Sequence, residues 1–385
     1  MPDNVRHLSG AVTLNSETDP NTIVLLRERL DMARSTLGDR IGRAPAFMRA
    51  LERKTRILTP RDTAALCQVL GVPPEALSIT HTHATELGGS FNAQGIGVRR
   101  RRQCVAYANL AGDAASTLLT MPEVTVATPP LSIPNLDETD AIETAIHARR
   151  SLKLGNTQIE HLGEFLERLG CVILPQPVDD PDLTAFTLLD ATRRSGAPFI
   201  FLDTTADAID QRFALARELG RIMNPSLTDA RRLKDHTRDM RLDSFALEFL
   251  APAAGLDGVL DAAQPSQDLS RVVALQDVWG VSATRLIARA RDLGVLTERS
   301  RASWAHACRE HERVHAASTL AERPRVQFHL ISTVLQALGE AGWTPFMLAA
   351  RLALHESELR RLLPGWWPSQ RESSREAAPA LRALH

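Results

Sequence analysis

Residues 212–223 read Arg-Phe-Ala-Leu-Ala-Arg-Glu-Leu-Gly-Arg-Ile-Met. A glutamate with one residue type just before it and again three positions after it is the layout of H-E-x-x-H. In that pattern a helix sets two imidazoles four residues apart on one face to share a zinc ion, and the glutamate serves as general base. Here Glu218 is present, while Arg217 and Arg221 stand at the two ligand positions. A guanidinium stays protonated at physiological pH and offers donors but no lone pair to a metal. The helix thus has the layout of a zinc site without its donors. A vestigial Glu218, no working catalytic residue, no metal and no cofactor are expected.

The surrounding elements must position this helix. Short apolar runs at Cys171–Leu174, Ala185–Leu189 and Phe199–Leu202, bounded by Pro, Gly and Asp, read as strands of a small sheet. Phe213, Ala216, Leu219, Gly220 and Met223 recur at helical spacing and would pack the motif helix on that sheet. Leu162, Leu166, Glu167, Gly170 and Val172 precede it. Phe245, Ala246, Phe249, Leu250 and Pro252 follow, and then Trp279, Gly280, Val281, Ser282, Ala290, Asp292, Leu293 and Gly294. On these residues, segment 141–296 resembles the peptidase-like domain of the ImmA/IrrE family, bacterial metallopeptidases associated with repressor cleavage. The resemblance implies a zincin-like α+β fold and places the family's third zinc ligand at Asp239. The former metal site would then hold Arg217, Glu218, Arg221 and Asp239, with two guanidinium groups supplying the +2 charge of the ion. A competing use of the arginines is to bind an anionic small molecule such as a nucleotide, phosphate or acyl-CoA.

An intact H-E-x-x-H occurs downstream at His311 to His315, with His306 and Cys308 just before it. Charged Arg313 inside the motif and the lack of a preceding strand favour a solvated helix, and His311 and His315 stand as the weaker alternative for metal. Cys67, Cys104, Cys171 and Cys308 lie far apart, which argues for buried free thiols rather than a zinc knuckle or a disulfide framework.

The chain of 385 residues is nearly neutral, yet residues 1–104 hold 15 Lys plus Arg against 10 Asp plus Glu. That surplus favours an anionic partner at this end. From Thr22 the apolar positions Ile23, Leu26 and Leu30, then Leu37, Ile41, Met48 and Leu51, then Ala65, Leu66, Val69 and Leu70 mark short helices. Gly42 to Pro45 separates two of them, with Pro45 suited to a first helical position. Residues 23–78 resemble the XRE class of helix-turn-helix domains through Leu37, Ile41, Gly42, Leu51, Glu52 and the closing Leu70–Leu77. The resemblance implies DNA binding. Arg43 and Arg49 are the candidate base readers, because the start of the second helix reads Ala44, Pro45, Ala46. Arg34, Arg40, Arg53, Lys54 and Arg56 are candidate phosphate contacts. The alternative is a fold kept for dimerisation or packing.

Gly88, Gly89, Gly95 and Gly97 precede Arg99–Arg102 and read as a linker, the arginines either extending a DNA-binding face or solvating a helix start. Val105–Leu119 is helical in pattern, and Met121–Leu136 is extended. Pro324–Leu338, a helix opened by Thr344 and Pro345, and Ser357–Leu363 imitate the order of a second helix-turn-helix, read here as serving dimerisation or packing.

The expected class is α+β and mostly helical. Its parts are an N-terminal arm (1–21), an all-α helix-turn-helix domain (22–80), a linker with basic run and helix (81–140), the peptidase-like domain (141–298), a helical C-terminal region (299–367) and a disordered tail (368–385). No apolar run suits a membrane span, and a cytoplasmic, homodimeric protein is expected. Two functions stay open. One is a DNA-binding transcriptional regulator whose inactive peptidase-like domain senses, dimerises or docks protein. The other is an active metallopeptidase that cleaves a partner repressor.

Overall fold

The computed structural model describes residues 18–53, 57–81, 87–89, 97–124, 132–137, 140–176, 183–188, 196–228, 235–256, 265–294, 302–310 and 325–363. Lys54, Arg56, His311, His315 and the two chain ends at 1–17 and 364–385 lie outside them. Within these residues the fold is mostly helical around a small sheet, as the sequence predicts. No described helix is long and apolar enough to cross a membrane.

The first helices are α1 (Pro20–Arg29), α2 (Arg34–Arg40), α3 (Pro45–Glu52) and α4 (Pro60–Leu70). Proline opens three of them, where its missing N–H costs nothing. Asp19 caps α1. Thr59 and Asp62 form a reciprocal capping box on α4, which ends on Gly71 in the left-handed region.

The segment read as a linker contains two packed elements. Strand β1 (Leu87–Gly89) adds to the sheet, and helix α5 (Val98–Leu119) is buried from Cys104 to Leu119 over most of its surface. Small side chains such as Ala106, Ala108, Ala111 and Ala115 let neighbouring helices approach closely on several sides. The alanine-rich stretch read as a helix within a linker is a central core helix.

Helices α6 (Ala141–Ser151) and α7 (Leu162–Arg168) lead into β2 (Val172–Pro175), β3 (Ala185–Leu188) and β4 (Phe199–Leu202). The sheet order is β1-β3-β4-β2, with β2 parallel to β4 and the other pairs antiparallel. Alternation along each strand divides the molecule. Val172, Leu174, Phe186, Leu188, Phe199 and Phe201 face the core shared by α1–α5 and the C-terminal helices, with Phe186 and Phe201 stacked at 4.9 Å. Cys171, Ile173, Ala185, Ile200 and Leu202 face the second core, built on α8 (Ala208–Met223) and α9 (Asp235–Leu250). Burial on both faces explains why these strands read as apolar runs, interrupted in β3 by Thr187.

After α9 come α10 (Ala253–Leu256), α11 (Pro265–Trp279), α12 (Ala283–Asp292), α13 (302–310), α14 (Leu330–Glu340), α15 (Pro345–Arg351) and α16 (Glu356–Leu362). Thr344 caps α15 and Pro345 opens it, as predicted. The cap of α14 comes from a distant element. Glu167 of α7 accepts from the backbone N–H of His329 at 2.8 Å and of Leu330 at 2.9 Å. Burial pushes this carboxyl above its usual range despite both bonds. Glu167 therefore ties the sheet-bearing region to the C-terminal helices.

Candidate functional site

Helix α8 starts at its Asp207 cap, which accepts from the Ile209 N–H, and runs without interruption through the Arg217–Arg221 segment. It packs against α9 at close range because position 220 is glycine. A Cβ there would lie 2.5 Å from the Phe245 ring. Much of the motif's surviving pattern, with Leu219, Gly220 and Phe245 buried, is explained by this helix–helix contact rather than by chemistry.

Arg217, Glu218, Arg221 and Asp239, the four residues expected together, form two ion pairs. Arg217 donates to Asp239 Oδ1 at 2.8 Å and lies 3.0 Å from Asp243 Oδ1, so one guanidinium bridges two carboxylates on successive turns of α9. Arg221 donates to Glu218 Oε2 at 3.2 Å within α8. Thr187 of β3 donates its hydroxyl to that same oxygen at 2.6 Å. Strand alternation makes this possible, because Thr187 lies on the sheet face that carries Ala185 toward α8. Asp243 and Thr187 escaped the sequence reading. The first sits one helical turn beyond Asp239 and could have been found from that spacing, whereas the second depends on a tertiary contact that leaves no local signal.

Burial decides the chemistry. Glu218 is 1% exposed and Arg221 5%. Burial pushes the Arg221 guanidinium down from its ordinary value, the Glu218 carboxylate draws it back up, and neighbouring Arg217 pushes it down again. Removing one member of such a pair strands a buried charge, at a cost of about 3 to 5 kcal/mol. The donor set does not fit zinc: both imidazole positions hold protonated guanidinium groups already committed to carboxylates, and Asp239 is committed to Arg217. No group of three or more His, Cys, Asp or Glu residues suited to a metal occurs among the described residues. The four cysteines are free and buried, as expected, and burial pushes the Cys67 and Cys171 thiols up.

The face of α2 and α3 presents arginine differently. Arg34 donates to Glu52 at 2.6 Å, and Arg43 donates to Asp62 at 2.8 Å while lying 5.2 Å from the Phe47 ring. Hydrogen bonds from Thr59 and Arg43 outweigh burial and hold the Asp62 carboxyl below its usual range. By contrast Arg40, Arg49 and Arg53 are exposed and make no ion pair with any described residue. Arg61, at the start of α4, is exposed in the same way and was missed because it belongs to no recognition helix. Of the basic run, Arg99 is tied to Asp31 by two contacts of 3.1 Å.

No protein-family profile, curated protein or solved structure matches the chain.

Proposed function

We propose that this chain is a DNA-binding transcriptional regulator carrying a catalytically inactive zinc-metallopeptidase-like domain, used for sensing, dimerisation or protein docking. The observation that carries the reading is the commitment of Arg217 to Asp239 at 2.8 Å and of Arg221 to Glu218 at 3.2 Å, where a peptidase needs imidazole and an open metal. A metallopeptidase cleaving a partner repressor would have no donor set to lower the pKa of water. Support for DNA as partner comes from Arg40, Arg49 and Arg53, cations held at the surface of α2 and α3 without internal partners among the described residues. Arg34 and Arg43 contribute less, since binding phosphate would require giving up Glu52 and Asp62. The test is a gel shift at varied salt with the full chain and Arg49→Ala. Wild type should bind in a salt-dependent way and the variant more weakly, while binding that ignores both salt and the substitution would refute the reading.

A further inference from the structure

The last three helices repeat the first three. Glu340, the end of α14, stands 311 positions after Arg29, the end of α1. The same offset relates Pro345–Arg351 to Arg34–Arg40 and the start of α16 at Glu356 to the start of α3 at Pro45. The turns agree at the same spacing. Asp31 has φ 48° and Gly342 φ 91°, and Gly42 has φ 68° and Ala353 φ 49°. Leu37, Met48 and Leu51 are buried, and so are their counterparts Leu348, Leu359 and Leu362. Two left-handed turn residues and three core positions at one offset define a second helix-turn-helix unit, not merely another helical hairpin.

Both units sit in one core with α5. The second is fastened to the first by its own α16. Glu358 forms an ion pair with Arg29, which is 2% exposed, and Arg361 lies 5.0 Å from the ring centroid of Tyr107 on α5. Glu358 stands where the first unit has Phe47, so the repeat has diverged at the very position that makes the contact between copies.

The chemistry of DNA recognition is split between the copies. Residues 20–53 hold seven arginines against four carboxylates, but the groove-facing start of α3 is Ala44, Pro45, Ala46. Residues 331–364 hold three arginines against three carboxylates, and Phe346 and Met347, 71% and 44% exposed, replace Ser35 and Thr36. That copy carries no arginine surplus over its carboxylates, with exposed Arg351 at the position of Arg40. Yet at the positions of Ala44, Ala46 and Arg49 it carries His355, Ser357 and Arg360, of which the first two are exposed. Arg360 pairs with Glu356 at 2.6 Å on a partly open surface, an interaction worth little and readily exchanged.

We propose that residues 331–363 form a second helix-turn-helix unit, paired in cis with the first, whose His355, Ser357 and Arg360 read base edges of duplex DNA that the first unit holds by its phosphates. The fixed connection supplies the local concentration that a neutral reading helix lacks on its own. Two units in one chain also provide what helix-turn-helix proteins obtain by dimerising. This inference rests on the DNA-binding reading above.

The experiment selects preferred duplexes from a random pool with the full chain, then measures stoichiometry, salt slope and sequence preference for wild type, His355→Ala, Arg360→Ala and Arg53→Ala. One chain per duplex is expected at saturation. His355→Ala and Arg360→Ala should each cut the preference at one block of bases by about tenfold with the salt slope unchanged. Arg53→Ala, at an exposed candidate phosphate contact, should weaken all duplexes alike and flatten the slope by about one. Wild-type preferences in both α16 variants, or two chains per duplex, would overturn the cis pair of readers while leaving DNA binding intact. A wild-type chain that selects no duplex even at low salt would instead remove the DNA-binding reading itself.

Discussion

Arginines of the α8–α9 cluster and arginines on the α2–α3 face carry the same charge in opposite settings. Arg217 and Arg221 lie against carboxylates, Arg221 deep in the second core, while Arg40, Arg49 and Arg53 project into solvent with no ion pair among the described residues. The guanidinium groups of the first set are balanced by carboxylates and support packing. Exposed ones remain available to a polyanion. The difference lies in desolvation: a cation taken out of water must be paired where it sits, whereas a surface cation exchanges water and counter-ions for phosphate. Substitutions at the first set should therefore register in folding stability, and those at the second in DNA affinity.

The largest effect is expected from Glu218→Ala, which leaves Arg221 buried without its carboxylate and Thr187 without its acceptor. Urea unfolding should show a loss of about 3 to 5 kcal/mol. A loss below about 0.5 kcal/mol would mean that the pair is solvated and that the two regions do not differ as described. Next comes Gly220→Ala, which forces a methyl to 2.5 Å from the Phe245 ring. Overpacking there should cost about 1 to 3 kcal/mol, and an unchanged urea midpoint would show that α8 and α9 are not closely packed.

Two carboxylates outside the former metal site should bend the acid limb of the stability curve in opposite directions. Asp62, held below its ordinary value, stabilises the fold above the unfolded pKa of about 3.9, and that contribution is lost as the pH falls through the lower folded value. Glu167, raised by burial, contributes most below the unfolded value of about 4.3 and loses that contribution as the pH rises through its folded value. Relative to wild type, Asp62→Asn should flatten the loss of stability in acid, and Glu167→Gln should remove a decline toward neutral pH. Parallel curves for both variants and wild type would refute the two assignments.

The smallest stability effect belongs to Arg49→Ala, expected within about 0.5 kcal/mol of wild type by urea although it weakens DNA binding. A destabilisation like that of Glu218→Ala would erase the contrast between the two sets.

The strands at 172–175, 185–188 and 199–202 were legible because their apolar runs are local and bounded by turn residues. Pro45 and Pro345 likewise announced their helices, since a proline after an extended residue favours a helix start. Strand β1 was not legible. Leu87, Gly88 and Gly89 have little strand preference of their own, and the pairing of Leu87 with Leu188 of β3 joins residues about 100 positions apart in sequence. The core role of α5 was hidden for a related reason, since alanine marks helix but not burial. In the α8–α9 cluster, residue spacing placed Arg217, Glu218 and Arg221 on one helix. The partners that settle each charge, Thr187 for Glu218 and Asp62 for Arg43, are 31 and 19 residues away and become visible only through tertiary packing.

The central claim is that cationic side chains have replaced the donors of a zinc site, and metal analysis of the purified full-length chain tests it most directly, alongside Glu218→Ala, Asp239→Ala and a His311→Ala, His315→Ala double variant. The account predicts no tightly held zinc that depends on Glu218 or Asp239, whatever the downstream histidines retain. One equivalent of zinc in wild type that disappears on substituting either carboxylate, and survives loss of both histidines, would contradict it.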